Sequence, residues 1–217
     1  AKLSLVAGSN AVLKLGALSI GANATLDLAD NDLIVSATAE TRAAVLAAVA
    51  SSIKSARGSD GKWAGAGLSS SAAKANKYTG LACMLNADKE GKAIKSSFAG
   101  QPVTANDILV KYTWNGDVTL DGKVDLADYF LVDAGFITQA TGYRNGDLTL
   151  DGKVDLADYF LIDSAFISQN ASLSAQESPV AVAEDEAEVV TMKAVVAVAK
   201  DESPSILQQL FSAKPVL

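Results

Sequence analysis

The first 36 residues alternate short apolar pairs with turn-forming residues. Each pair has the spacing of two side chains on one face of a strand. The pairs are Leu3 and Leu5, Leu13 and Leu15, Leu18 and Ile20, Leu26 and Leu28, and Leu33 and Val35. Glycine, asparagine and aspartate fill the intervals and favour turns. The pattern predicts five brief strands at near-regular intervals, typical of a sandwich or of the last turns of a β-solenoid.

A helical pattern follows in residues 39–57. Thr38 is placed to cap its start, and Gly58 is placed to end it. The apolar residues at the spacing of a buried helix face are Val45, Leu46, Val49 and Ile53. The apolar run LACML, which contains Cys83, and the run at 108–113 predict two further strands joined by a polar loop. Residues 1–114 are therefore predicted to form a β-rich domain with one main helix.

The composition of the chain changes at residue 170 and again at residue 189. Residues 170–188 have the composition of a polar, acidic linker, and residues 189–217 are predicted as a strand followed by a short helix. The strand lies in the valine-rich run EVVTMKAVVAVA at 188–199, which would aggregate if its edges stayed unpaired. Two alternatives follow. The strand folds back onto its own sheet, or it is donated to the sheet of a neighbouring molecule.

Residues 115–139 are repeated at 145–169. The copies NGDVTLDGKVDLADYFLVDAGFITQ and NGDLTLDGKVDLADYFLIDSAFISQ are identical at 20 of 25 positions and lie 30 residues apart. Each copy places four aspartates within 12 residues, where they repel one another unless a cation lies among them. A helical pattern begins at the end of each 12-residue segment, and its first copy places Leu126, Tyr129, Phe130 and Phe136 on one face.

The spacing of these aspartates indicates calcium. A 12-residue loop supplies oxygen ligands from positions 1, 3, 5, 7, 9 and 12, and needs a sharp turn at position 6. Glycines stand at position 6, Gly122 and Gly152, where a positive φ is tolerated. The predicted ligands are Asp117, Thr119, Asp121, Lys123 through its carbonyl, Asp125 and Asp128, and then Asp147, Thr149, Asp151, Lys153 through its carbonyl, Asp155 and Asp158. Val124 and Val154, at position 8, are predicted to join the loops by a β-bridge.

An ordinary hairpin is the competing interpretation, because Asp-Gly is a strong turn signal. It accounts for Asp121-Gly122 and Asp151-Gly152 and leaves the other six aspartates without a role. Two near-identical loops with both glycines in register therefore favour calcium.

The pair of loops resembles the dockerin type I repeat, a loop-plus-helix half of an EF-hand used twice. ILVKYTW at 108–114 alternates like a strand, so no incoming helix precedes the first loop. The resemblance implies two calcium ions per chain, in a module at 115–169, and a cohesin-like partner. Dockerins that dock onto cohesins usually carry small hydroxyl residues just before the last ligand. This chain has Leu126-Ala127 and Leu156-Ala157 there, and Thr119 and Thr149 replace the more usual asparagine.

Composition narrows the function classes. The net charge is −7, which argues against nucleic acid and anionic membrane surfaces as partners. No apolar run approaches the ~20 residues of a membrane span. The chain has no histidine, and its single cysteine, Cys83, lies in the apolar run LACML as a buried small hydrophobe would. Residues 18–37 also resemble the segment before the dockerin-like ends of large bacterial secreted and autotransporter-like proteins, which implies an extracellular or cell-surface location.

Three classes of function remain open. The first is an extracellular structural subunit that self-assembles into a fibre or surface layer, with calcium as its staple. The second is a dockerin-type adaptor that docks onto a cohesin-like partner. The third, an enzyme, is weakest, because the chain has no histidine, no nucleophile motif and no plausible pair of catalytic carboxylates. The residues before the last ligand and the valine-rich strand favour the first class. The predicted fold is α+β.

Overall fold

The computed structural model describes residues 1–173, 189–192 and 196–198, and the fold is a mixture of sheets and helices, as the α+β prediction required. The helices are α1 (Arg42–Arg57), α2 (Ser71–Ala75), α3 (Leu126–Thr138) and α4 (Leu156–Leu173), with a 3₁₀ turn at Tyr143–Asn145. The strands are β1 (Lys2–Ser4), β2 (Val12–Leu15), β3 (Leu18–Ile20), β4 (Thr25–Asp27), β5 (Asp32–Val35), β6 (Gly67–Ser69), β7 (Thr79–Leu85), β8 (Ser97–Phe98), β9 (Gln101–Pro102), β10 (Ile108–Trp114), β11 (Val189–Met192) and β12 (Val196–Val198). None of the helices in these ranges is long and apolar enough to cross a membrane.

The first five strands form a coil in which each turn stacks on the one before. Strand β4 pairs in parallel with β1, and β5 pairs in parallel with β2. Strand β6 continues the first stack, so that Leu3, Leu26 and Leu68 occupy one register position on three neighbouring strands. Leu26 and Leu68 are fully buried. The five predicted strands are therefore present, and their apolar residues line the inside of the coil.

The larger sheet has the order β11-β2-β5-β10-β7. Strand β10 is antiparallel to both β5 and β7. The two strands predicted from LACML and at 108–113 correspond to β7 and β10, and both are longer than expected, with seven residues each. Cys83 lies in β7 and is buried, as predicted, and burial raises its pKa to about 12. Strand β10 is thus held between β5 and β7, and its end leads directly into the first predicted calcium loop.

Helix α1 covers this core but begins three residues later than predicted. Thr38 does not cap it, because the carbonyl of Thr38 accepts hydrogen bonds from the amides of Thr41 and Arg42, which makes a turn first. Glu40 therefore lies before the helix. Gly58 ends it with φ 69°, as expected. Of the predicted stripe, Val49 and Ile53 are buried, whereas Val45 and Leu46 are half-buried.

The repeated segment at 115–169 packs on the same hydrophobic core as the β-rich part. The buried hydroxyl of Tyr143 accepts a hydrogen bond from the amide of Gly116, and Arg144 donates to the carbonyl of Val118, 3.4 Å away. Gly116 and Gly146 permit close packing, because a Cβ at either position would lie less than 3 Å from a side chain or backbone atom of α4 or α3. The predicted boundary at 114/115 remains a prediction about folding units, and buried side chains cross it.

The C-terminal strand folds back onto the molecule. It consists of two short strands, β11 and β12, which pair in parallel with β2 and β3. This is the first of the two predicted alternatives. Helix α4 extends to Leu173, four residues into the predicted linker at 170–188. The rest of that linker and the predicted helix after Pro204 lie outside the described residues.

Candidate metal centre

Each predicted calcium loop begins at a rigid element and ends in the first turn of a helix. The first follows β10 and runs into α3, and the second follows the 3₁₀ turn and runs into α4. Gly122 and Gly152 have φ values of 96° and 100°, which confirms the turn predicted at position 6. Leu120 and Leu150, at position 4, also have positive φ, 57° and 58°. Sequence reasoning missed these two residues, although identical leucines at matching positions were a signal.

The aspartate at position 1 organises each loop from inside. Asp117 is fully buried, and its two oxygens accept hydrogen bonds from the amides of Asp121 at 3.0 Å and Gly122 at 2.8 Å. Asp147 does the same with the amides of Asp151 at 2.9 Å and Gly152 at 3.1 Å. The two loops thus wrap around their first carboxylate in the same way, as their sequence identity predicts.

The aspartate at position 12 closes each loop from the helix. Asp128 accepts from the amides of Thr119 at 3.0 Å and Asp125 at 2.9 Å, and Asp125 in turn caps α3. Asp158 accepts from the amides of Thr149 at 2.9 Å and Asp155 at 2.8 Å. Both carboxylates are fully buried. Position 12 thus lies in the first turn of each helix, and in α3 a capping box between Asp125 and Asp128 supplies the reason. That the helix presents this aspartate to a metal ion stays a prediction.

The aspartates at positions 5 and 9 lie nearer to solvent and meet the loop lysine. The ammonium of Lys123 lies 2.6 Å from a carboxylate oxygen of Asp125, and that of Lys153 lies 2.6 Å from Asp155. Hydrogen bonds from these lysines lower the pKa of Asp125 and of Asp155. The amide of Lys123 also donates to Asp121. Asp125, Asp151 and Asp155 therefore have cationic partners of their own, whereas Asp121 accepts from a backbone amide.

The inner carboxylates have no ion pair of this kind. In residues 115–169 the ion pairs join Lys123 to Asp125 and Lys153 to its neighbours, and none reaches Asp117, Asp128, Asp147 or Asp158. Arg144 interacts with Asp128 only beyond ion-pair distance. Burial raises the pKa of Asp117, Asp128 and Asp147 above the ordinary value, although several amides donate to each. Buried charges are normally paired or bound to metal, so each loop contains two buried carboxylates that lack an ion-pair partner.

The threonine at position 3 supplies a second indication of a metal site. Thr149 Oγ1 is buried and has no hydrogen-bond partner among the described atoms. Its counterpart in the first loop, Thr119 Oγ1, makes a 3.4 Å hydrogen bond to Asp117. A buried polar atom without a partner usually marks a site that a water or an ion satisfies. Thr149 is one of the residues predicted to coordinate calcium.

Within the described residues, no three acidic, histidine or cysteine side chains converge on one point as metal ligands do. The reason is visible in both loops, because the inner carboxylates face backbone amides, and all outer ones except Asp121 face a lysine. The donor chemistry nevertheless fits calcium, since each loop offers only oxygens, at the six positions of a calcium loop. The residues that would hold the ions are the twelve predicted from the sequence, with Lys123 and Lys153 contributing their carbonyls. The aspartates would exchange some of these hydrogen bonds for the ion.

Two contacts outside the repeated pattern support the first loop, and sequence reasoning missed both. The hydroxyl of Thr113, in β10, donates to Asp117 Oδ2 at 2.5 Å. The side-chain amide of Gln169 accepts from the amide of Val124 at 2.8 Å and donates to its carbonyl. The predicted β-bridge between Val124 and Val154 is therefore wrong, because Gln169 occupies the backbone groups of Val124. Gln139, its equivalent in the first copy, instead ends α3.

The helix faces also differ from the prediction. Asp128, Val132 and Gly135 form the buried side of α3, whereas Leu126 and Phe130 are 85% and 71% exposed. The second helix repeats this, with Leu156 83% and Phe160 72% exposed. The aspartate that closes the loop sets the rotation of each helix, so the apolar residues two before and two after it turn outward.

The wider comparisons add no relative. Comparisons of the chain with models of protein families, with curated proteins and with solved structures found no match. The resemblance to dockerin repeats therefore rests on the spacing of the two loops and on the residues at their ligand positions. The geometry of the loops is the basis on which a function can be inferred.

Proposed function

We propose that this protein is an extracellular structural subunit in which two calcium ions staple the segment 115–169. The single observation that carries the proposal is the pair of buried carboxylates without an ion-pair partner inside each loop. A divalent cation would neutralise Asp117 with Asp128, and Asp147 with Asp158. The buried Thr149 hydroxyl without a partner supports the same conclusion independently. Calcium suits an oxygen-only site of this loop length better than a transition metal.

The proposed ion binds weakly and needs an extracellular supply. Aspartate at position 12 is shorter than the usual bidentate glutamate, and extracellular calcium modules have dissociation constants of about 10⁻⁴–10⁻³ M. Such sites would stay empty at cytosolic calcium concentrations. A bacterial surface or secreted protein, the location that the sequence resemblance implies, would be saturated.

Calcium would act on the fold because of where the loops lie. The first loop is the direct continuation of β10, and the second rests against β7 through the 3₁₀ turn at Tyr143–Asn145. Occupied loops would therefore hold α3 and α4 against the sheet. The stacked coil of β1 to β5 suits a β-solenoid-like end, and the two loops suit a dockerin-like module. No catalytic role is needed in this proposal.

Self-assembly is the second part of the proposal, and its partner is another copy of the chain. Strand β11 occupies the edge of the larger sheet, in register with β2. Residues 174–188 could reach about 50 Å if fully extended, so the strand could be donated to a neighbour through the same register. A donated strand makes a head-to-tail contact, and such contacts grow into fibres when the rotation does not close.

Electron microscopy and light scattering of the full chain, with and without calcium, test this proposal. We expect assemblies that form in millimolar calcium and disperse in chelator. The variant Asp128→Asn plus Asp158→Asn should not assemble in calcium. The control Asp60→Asn plus Glu90→Gln removes the same charge from exposed positions outside the repeated segment and should assemble like the wild type. A chain that stays monomeric at high concentration in calcium would refute the self-assembly.

A dockerin-type adaptor is the alternative function, and the exposed apolar side chains of α3 and α4 favour it. Leu126 and Phe130 are matched by Leu156 and Phe160, so the two helices present similar apolar surfaces. In this alternative the surface docks onto a cohesin-like partner. Phe130→Ser plus Phe160→Ser separates the two functions, because it would abolish docking while calcium binding and assembly through β11 continue.

A further inference from the structure

The two C-terminal strands follow the first turn of the coil along two of its faces. Strand β11 runs beside β2, and β12 then runs beside β3, both in parallel. Three residues separate β11 from β12, and two residues separate β2 from β3. Strands β11 and β12 therefore follow β2 and β3 in the same order and in the same direction. A segment that only covered the exposed edge of β2 would not need to continue beside β3.

The register of β11 and β12 continues the apolar pattern of the coil by one more strand at β2 and at β3. Within the coil, Leu13 pairs with Leu33, and Leu15 pairs with Val35. On the other side of β2, Leu13 pairs with Val190, and Leu15 pairs with Met192. At β3 the same holds for Leu18 with Val196 and Ile20 with Val198. Every apolar position of β2 and β3 that continues the interior ladder thus meets an apolar residue of the segment.

The polar position of β2 agrees as well. Lys14, between the two buried leucines of β2, pairs with Thr191, whereas the exposed Ser19 of β3 pairs with the small residue Ala197. A shift of one residue would place Val190 or Met192 opposite Lys14 and would break the alternation along β2. At β2 the sequence of the segment therefore favours this register over a shift by one residue.

We propose that strands β11 and β12 together act as a surrogate turn of the coil, which caps its open end in the isolated chain. Open strand edges invite association with other chains, and repeat proteins need a terminal cap to stay in solution. The inference rests on the solenoid-like coil of the proposed function, but not on calcium. The cap is partial, because β1 pairs only with β4 among the described strands. Donation to a neighbour would be the exchange of this cap between copies at high concentration.

Disulfide trapping in the full chain tests the register directly. Neighbouring strands lie about 4.8 Å apart, within the Cα separation of about 4.4–6.8 Å that a disulfide needs. The matched pairs are Lys14→Cys with Thr191→Cys, and Ser19→Cys with Ala197→Cys. The mismatched control is Lys14→Cys with Ala197→Cys. Cys83 can stay, because it is buried and its pKa is raised to about 12.

The experiment uses micromolar protein with oxidised glutathione as the oxidant, followed by peptide mapping. We expect both matched pairs to form disulfides within one chain at least about tenfold faster than the mismatched control, because the cap holds them at high effective concentration. Equal rates for matched and mismatched pairs would overturn the cap, and so would matched disulfides that form only between chains. A capped monomer that never assembles at high concentration would refute the proposed self-assembly and leave the cap intact.

Discussion

Two buried aspartates, one in the coil and one in the first loop, show how differently the two regions treat negative charge. Asp27 accepts hydrogen bonds from the amides of Ala29 at 3.0 Å and Ser71 at 2.8 Å, and Lys2 lies 3.0 Å from it. Burial alone would raise its pKa, but these donors and the lysine together lower it. Asp117 accepts hydrogen bonds from the amides of Asp121 and Gly122 and from the hydroxyl of Thr113, but no lysine pairs with it. Burial raises its pKa.

The comparison indicates what amide donors alone achieve. Hydrogen bonds satisfy the oxygens of Asp117, but they do not offset the cost of placing a charge, with Asp128 nearby, in the protein interior. In the coil a lysine supplies the missing positive charge. In the loops we infer that calcium supplies it. The following predictions test this difference between the coil and the loops.

Removing calcium should have the largest effect. Each site contributes about 2.7 kcal/mol to the free energy of unfolding at 100-fold saturation, so two sites contribute about 5 kcal/mol. Urea unfolding in calcium and in chelator measures the difference. Hydrogen exchange should rise first at 115–169, while the coil stays protected. Identical unfolding curves in calcium and chelator would contradict the comparison.

Neutralising the two aspartates should separate the regions. Asp27→Asn keeps one oxygen for the two N–H donors, which share Oδ1, but it replaces Oδ2, the partner of Lys2, with an NH₂ group. The loss of the ion pair and the unfavourable contact of NH₂ with the lysine should cost about 1–3 kcal/mol with or without calcium. Asp117→Asn should destabilise the chain in calcium and cost less in chelator, because it also removes an uncompensated buried charge. The measurement is the free energy of unfolding of both variants under both conditions. A calcium-dependent loss for Asp27→Asn would blur the distinction.

Thr113 should position the first ligand from the sheet. Losing an outer partner of a metal ligand typically lowers affinity by about 10–100-fold, so Thr113→Val should weaken the first loop by that factor and leave the second unchanged. Residue-resolved NMR during a calcium titration distinguishes the loops. Thr113→Ser keeps the hydroxyl and should restore the affinity. Equal weakening of both loops would point to a general structural defect instead.

The response of the metal-free chain to pH should be the smallest effect. The pKa values of Asp117, Asp128 and Asp147 are raised, so the folded state takes up protons before the unfolded chain as the pH falls from 7 toward 3.8. Stability should therefore rise over that range. Below it stability should fall, because the pKa of Asp27 is lowered and its protonation removes a favourable ion pair. Urea midpoints in calcium-free buffer check this, and a monotonic loss of stability from pH 7 downward would contradict it.

Local patterns were enough to predict much of the architecture. The five strands of the coil, the glycines at position 6 and the aspartates that begin the helices all follow from spacing within a few residues. Contacts between distant residues were not accessible in this way. Thr113 and Gln169 lie outside the loops they support, and the rotation of α3 depends on which side meets the second loop, where Val132 packs against Gly146. Helix spacing placed Leu126 and Phe130 on one face, but it did not indicate that this face is exposed while Asp128 is buried.

The repeat itself also misled in one respect. Identical sequences suggested that Val124 and Val154 would pair, but the two copies meet different surroundings. The first is attached to β10 through Thr113, and the second follows a 3₁₀ turn whose Tyr143 is buried against the sheet. Gln169 then bonds to Val124, whereas Gln139 ends a helix. Sequence identity therefore predicts the inside of each loop and not its outer contacts.

Calorimetric titration of calcium into the full, metal-free chain tests the central claim most directly. The account predicts two calcium ions per chain, with dissociation constants of about 10⁻⁴–10⁻³ M. Asp128→Asn plus Asp158→Asn should abolish both binding events, whereas Asp60→Asn plus Glu90→Gln should leave them unchanged. Binding of fewer than two ions by the wild type, or binding that survives the loss of Asp128 and Asp158, would contradict the account.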